Sequence, residues 1–136
     1  IALLAIIFGS FLPIFLLLIP KFFATLNIVW GITQHVGLKE DVKDHRLSTR
    51  SVRLNPIFSF IYWKMEYHIE HHMFPMVPSH KLPQLHKVIK DQLPKPKSLY
   101  GAYKEIIPAI MKQSKNPDYH IQVQLPDVAR PAINSA

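Results

Sequence analysis

Three of the eight histidines in this chain lie within five positions, at His68, His71 and His72. Residues spaced i, i+3 and i+4 share one face of an α-helix, so these three imidazoles would project together. Adjacent imidazoles pack poorly as a core and repel one another when protonated, whereas neutral imidazole is a good ligand for iron, zinc, copper or nickel. The spacing therefore predicts a metal-binding face on one helix.

The other residue types narrow the chemistry further. The chain has no cysteine, which excludes disulfides, thiolate metal sites and cysteine nucleophiles. A histidine that stands alone is usually a hydrogen-bonded or solvated side chain rather than a ligand. We therefore assign no metal-binding role to His45, His80, His86 and His120.

The segment before these histidines has the composition of a membrane span. Residues 1–20 carry no charge and would form roughly 30 Å of helix, the thickness of a bilayer core. A signal peptide would need a basic start and a small-residue cleavage site, and neither is present. We expect residues 1–34 to form one or more transmembrane segments. A helical hairpin is preferred over one long bent helix, because Pro13 and Pro20 would each break the backbone hydrogen bonding.

The remainder of the chain is basic. Of the 16 Lys and Arg residues, only Lys21 precedes His35. Basic loops next to an apolar span favour the cytoplasmic face of a membrane over nucleic-acid binding. We therefore predict an all-α integral membrane protein whose residues 35–113 form a cytoplasmic helical region, followed by a polar tail over 114–136.

Capping residues and prolines place three helices in the cytoplasmic region. Asn55 and Pro56 predict a helix start, and that helix should run to about Met73. Ser79 is expected to cap a second helix, over residues 80–92. A third helix is predicted near residues 100–112, with an interruption at Pro108.

The histidine cluster and its surroundings resemble a known family. The run from His68 to Pro75 resembles the third histidine box of membrane fatty acid desaturases and related hydroxylases. Other segments continue the resemblance in the same order, over roughly residues 20–110: Thr33–Gly37, Thr49–Ser51, Trp63–Tyr67, Val77–Pro78 and Leu82–His86.

The resemblance implies a ligand set and a reaction. It places iron-binding roles on His35, His68, His71 and His72, and it implies two non-haem iron ions as the cofactor. Gln34 stands where some relatives carry an acidic residue, and we expect of it no more than a hydrogen bond near the ligands. The implied reaction introduces a double bond into a lipid acyl chain with O₂ and two electrons. A hydroxylase or ketolase acting on alkanes, carotenoids or sphingolipids is the alternative, since these enzymes share the boxes.

The same resemblance implies partners and an incomplete site. The partners would be a lipid or acyl substrate, membrane lipids and an electron donor such as ferredoxin, rubredoxin or a cytochrome b5-like protein. The family pattern includes two earlier histidine boxes that the 136 residues do not supply. We therefore expect the chain to be the C-terminal part of an enzyme, inactive alone. Two readings from other classes stay open: a non-catalytic membrane protein with structural zinc, and a basic membrane-surface module without metal.

Overall fold

The computed structural model describes residues 2–129, which divide into two compact units between Gly31 and Ile32. Helices dominate both units, and the only strand pairing within residues 2–129 joins two short parallel strands. The predicted all-α class is confirmed.

The first unit contains helix α1 (Ala2–Ile7) and most of helix α2 (Leu12–His35). A turn at Gly9, with φ of 57°, ends α1, and the hydroxyl of Ser10 accepts a hydrogen bond from the Leu12 N–H at 3.1 Å. Within residues 2–129, α2 is the one helix long and apolar enough to cross a membrane. Two polar side chains in its middle bond to their own helix: Thr25 donates to the Lys21 carbonyl at 2.9 Å, and Asn27 donates to the Phe23 carbonyl at 2.8 Å.

Helix α2 runs unbroken through Pro20. Proline removes one backbone donor, and the rest of the helix retains its own hydrogen bonds. The number of membrane passes and the domain boundaries at residues 34 and 113 stay predictions.

Gly37 lies just beyond α2 and ends that helix. It thereby helps to fix the position of His35, the last helical residue. The φ of Gly37, 79°, is the left-handed conformation that commonly terminates a helix. A Cβ atom at this position would lie 3.0 Å from Ile121 Cδ1 and 3.1 Å from Ala109 Cβ. The Gly37 carbonyl also accepts a hydrogen bond from the Ile121 N–H at 2.7 Å. Part of the C-terminal segment therefore packs directly against the end of α2.

The second unit is built around a small sheet and its covering helix. Strand β1 (Val52–Arg53) pairs with β2 (Lys97–Ser98), so that Val52 lies opposite Lys97. Helix α7 (Leu99–Gln113) packs on this pair, and Val52, Ala102 and Ile106 form the buried core.

The remaining helices of the second unit surround the predicted histidine box. They are α3 (His45–Ser48), α4 (Pro56–Ile61), α5 (His68–Met73) and α6 (Leu82–Ile89), and α6 is flanked by 3₁₀ turns at Ser79–Lys81 and Lys90–Gln92. Helix α5 packs against both α3 and α6. The box therefore lies on a short helix held from two sides.

The predicted helix from Pro56 to Met73 is wrong in its middle. Asn55 caps it as expected, but α4 ends at Ile61, and Trp63 and Lys64 adopt positive φ angles of 57° and 61°. Long-range hydrogen bonds replace the helical ones here. The Met65 carbonyl accepts from the Gln34 side chain at 2.6 Å, and the Glu66 carbonyl accepts from the Val52 N–H at 3.2 Å.

Two smaller predictions about helices are also corrected. Ser79 does not cap the second helix, because it is the first residue of the preceding 3₁₀ turn. Helix α7 passes through Pro108 without interruption. Pro108 and Lys104 are both exposed, so water can satisfy the Lys104 carbonyl that lacks a helical partner.

Candidate metal centre

Two elements bring three histidines together. His35 is the last residue of α2, while His68 and His72 lie one turn apart on α5. The Nε2 atom of His68 lies 2.7 Å from Nε2 of His35 and 3.0 Å from Nε2 of His72. One nitrogen from each of the three rings lies within 4.8 Å of the other two. The structure thus forms a convergent three-nitrogen site from residues that are 33 positions apart in sequence.

The tautomer of His35 follows from its second contact. Its Nδ1 atom lies 3.3 Å from the Ser48 carbonyl oxygen, and a carbonyl can only accept a hydrogen bond. Nδ1 therefore carries the proton, and the lone pair is on Nε2, which faces His68. Histidines that bind metals are commonly oriented by this kind of hydrogen bond.

Burial and the neighbouring rings keep two histidines of the cluster, His68 and His72, neutral. Burial, together with the neighbouring rings of His35, His72 and His71, lowers the pKa of His68 to about 3. The pKa of His72 is lowered as well, by burial first and then by the rings of His35, His45 and His71. At neutral pH both rings are uncharged, and their nitrogen lone pairs are available to a cation.

The donor set fits a metal ion better than it fits hydrogen bonding. A neutral imidazole nitrogen offers either one hydrogen or one lone pair, yet two other nitrogens approach Nε2 of His68. Two nitrogens bound at about 2.1 Å to one ion are roughly 3.0–3.4 Å apart, close to the spacings found here. The other nitrogen of His68, Nδ1, is buried and has no hydrogen-bond partner among the described residues.

His71, the fourth predicted ligand, lies on the flank of this site. Its ring centroid is 6.0 Å from that of His68 and 5.8 Å from that of His72. On a helix, positions i+3 and i+4 are about 100° apart, so His71 and His72 lie on opposite sides of His68. His71 is therefore adjacent to the three-nitrogen site without belonging to it.

A short segment, Thr49–Ser51, joins the two helices that carry the histidines, and we call it the clamp. The Arg50 N–H donates to the Gln34 carbonyl at 2.8 Å, and its Nη1 donates to the Thr33 carbonyl at 2.5 Å, both at the end of α2. The Ser51 hydroxyl accepts from the Ile69 N–H at 3.2 Å in α5. The clamp thereby sets the distance from His35 to the box.

Arg50 is a buried arginine and not a surface residue. Only 6% of the residue is exposed, and Nη2 lies 3.8 Å from a Glu105 carboxylate oxygen. Burial lowers the pKa of Arg50, and the charge of Glu105 partly offsets this. Arg50 is a structural residue of the clamp.

The face of α5 opposite the histidines is buried in the protein. Glu70 is fully buried and accepts hydrogen bonds from Ser51 Oγ at 3.0 Å and from His86 Nδ1. His86 therefore has the structural role assigned to it from sequence. Gln34 bonds to the Met65 carbonyl and accepts from the Tyr62 hydroxyl at 3.1 Å, so it supports the turn before α5.

Sequence reasoning missed His45. Its ring centroid lies 5.3 Å from that of His72, which makes it a neighbour of the cluster. One feature of the sequence could have drawn attention to His45. It lies in the loop between His35 and the box, next to Asp44, and aspartate is a residue type that favours helix N-caps. His80 is exposed, and His120 bonds to the Asp118 carbonyl, as their sequence interpretation predicted.

Comparison with known proteins identifies the family of this chain. A family model described as "Fatty acid desaturase" matches residues 1–104, which is more than half of the chain. The chain belongs to the fatty acid desaturase family. No curated protein and no solved structure was found to match it. The matched range of this desaturase-family chain includes all four predicted ligands, together with His45 and the clamp.

Proposed function

We propose that this chain supplies part of the di-iron centre of a membrane desaturase that introduces a double bond into a lipid acyl chain. The observation that carries the proposal is that one ring nitrogen from each of His35, His68 and His72 lies within 4.8 Å of the other two. Membership of the fatty acid desaturase family supports oxidoreductase chemistry. Two bound iron ions would supply the O₂-dependent, two-electron oxidation of an unactivated C–H bond.

The chain's own residues would hold and orient that group. His35, His68 and His72 would bind one ion, while His71, on the flank of α5, would face a second. The Ser48 carbonyl holds the His35 ring in the tautomer with its lone pair on Nε2. The clamp fixes the last turn of α2, which carries His35, relative to α5, so little reorganisation is needed when metal binds. The ligands described here are fewer than two ions require, and we propose that histidines outside this set complete the centre.

Partners are proposed from the surface charge and the apolar helix. Large side chains along α2 are exposed, including Phe15 (58%) and Leu16 (64%), as expected of a surface that faces lipid. Four exposed lysines could dock an acidic electron carrier: Lys81, Lys87, Lys90 and Lys95. Lys97 follows these four lysines in the sequence, but it is ion-paired with Glu105.

The experiment is mutagenesis of the complete enzyme, which combines this chain with the histidines proposed to complete its centre, in membranes with lipid substrate, reductant and O₂. His68→Ala and His72→Ala should each abolish product and lower the iron content, and His35→Ala should act in the same way. The exposed His80→Ala is the matched control and should behave as wild type. Mass spectrometry of the lipid separates a new double bond from a new oxygen atom, and the latter would favour the hydroxylase alternative. Normal turnover and iron content in the His68 variant would refute the proposal.

A further inference from the structure

His45 lies beside the proposed site, at a distance typical of a metal ligand. Its ring centroid is 5.3 Å from that of His72, and the His35 ring lies 5.1 Å from His72. With metal–nitrogen distances of about 2.1 Å, two imidazoles on one ion have ring centroids roughly 4.5–5.5 Å apart. By this measure the rings of His45 and His72 are close enough to bind one ion, while the nitrogens of His45 lie outside the three-nitrogen group of His35, His68 and His72.

We propose that His45 is a further ligand of the metal centre and binds the same ion as His72. The inference rests on the proposed metal-binding function and adds a residue from a different element, α3. The ring of His45 is half-buried and inclined by 40° to that of His72, so the two rings do not stack face to face. His45 would approach the ion from the loop that follows α2.

The backbone of His45 is held on both sides by hydrogen bonds. Asp44, which precedes it, caps α3 by accepting from the Arg46 N–H at 3.1 Å, and also pairs with the Arg46 guanidinium at 2.7 Å. The Thr49 N–H donates to the His45 carbonyl at 3.0 Å. Arg46 is itself buried and donates to the Gln92 carbonyl at 3.2 Å. This network fixes the backbone of His45 before any ion binds, which reduces the reorganisation that binding requires.

Helix α3 also contacts a second member of the site. Its last residue, Ser48, provides the carbonyl that orients His35. One four-residue helix therefore carries His45 at its start and holds His35 at its end. Helix α3 would therefore contribute to the metal site through two of its residues, His45 as a ligand and Ser48 through the carbonyl that orients His35.

The rival explanation is that His45 only packs against His72. Substitution by phenylalanine separates the two, because a phenyl ring retains most of the packing but has no nitrogen to donate. His45→Phe and His45→Ala should both weaken metal binding if His45 is a ligand. If it only packs, His45→Phe should bind metal as the wild type does.

The test uses the 136-residue chain in detergent with Zn²⁺ as the probe, in competition with a chromophoric chelator, and Co²⁺ as a spectroscopic reporter. His45→Phe and His45→Ala should each lower the Zn²⁺ affinity at least about tenfold and change the absorption of saturating Co²⁺. His80→Phe is the matched control and should leave both unchanged. Far-ultraviolet circular dichroism verifies that each variant is folded.

The outcomes separate this inference from the proposed function. If His72→Ala loses Zn²⁺ affinity while His45→Phe matches wild type in affinity and Co²⁺ spectrum, His45 is not a ligand and only this inference fails. If the wild-type chain binds neither ion, or if His68→Ala and His72→Ala bind as wild type does, the metal-binding function fails and this inference fails with it.

Discussion

Replacing Glu70 with alanine should destabilise the second unit more than any exposed substitution does. Glu70 is fully buried and accepts hydrogen bonds from Ser51 Oγ and His86 Nδ1. Each hydrogen bond to a charged group contributes about 1.5–3 kcal/mol, and removing one partner leaves the other buried without its acceptor. The His86 side chain retains 23% exposure, so water can compensate it in part. We therefore expect Glu70→Ala to lower the free energy of unfolding by roughly 2–4 kcal/mol.

The assay is chemical denaturation of the chain in detergent, followed by circular dichroism. Glu40→Ala, which removes an exposed carboxylate, is the matched control and should change stability by less than about 0.5 kcal/mol. A double-mutant cycle with His86→Ala should give a coupling energy of about 1 kcal/mol or more. A loss below about 1 kcal/mol for Glu70→Ala, or no coupling to His86, would refute the reasoning that this pair anchors α5.

Three further predictions concern the clamp, the cap of α3 and the topology. Arg50→Leu should lower the free energy of unfolding by about 1.5–3 kcal/mol, because the Thr33 carbonyl loses a charged donor; denaturation by urea would measure this. Asp44→Asn keeps a side chain that caps α3 but loses the charge that pairs with Arg46, so it should cost about 1 kcal/mol above pH 5. The pairing with Arg46 lowers the folded-state pKa of Asp44, so this cost should disappear as the pH falls through that pKa, as denaturation curves from pH 2 to 7 would show. In intact cells, a cysteine at exposed Lys95 should resist an impermeant thiol reagent if the basic region is cytoplasmic; rapid labelling would contradict that orientation.

Local sequence signals predicted the parts of the structure that depend on local physics. The Asn55–Pro56 start of α4 and the shared helix face of His68 and His72 follow from capping and from helical spacing. Helical spacing also places Glu70 on the face of α5 opposite the histidines, and the structure buries it there. The convergence of His35 with the box was expected only through the family resemblance, since no local rule joins residues 33 positions apart.

The largest error, the predicted single helix from Pro56 to Met73, has its physical cause in competition from long-range hydrogen bonds. The predicted single helix ends at Ile61 because the carbonyls of Met65 and Glu66 are used by Gln34 and Val52. Helix propensity cannot reveal such competition, because its partners are distant in sequence. His45 was missed for a related reason: a single histidine in a loop shows no spacing pattern, and only the packing of α3 on α5 brings it to His72.

The clamp explains why the histidine box alone does not define the site. His68 and His72 lie on a six-residue helix, which is too short to be stable by its own hydrogen bonds. Ser51 bonds to both the Ile69 N–H and the Glu70 carboxylate, and Arg50 bonds to the last turn of α2. The separation of His35 from the box is therefore set by the clamp, whose side chains bind no metal. Substitutions in the clamp should therefore alter the geometry of the metal site even though every ligand residue is retained.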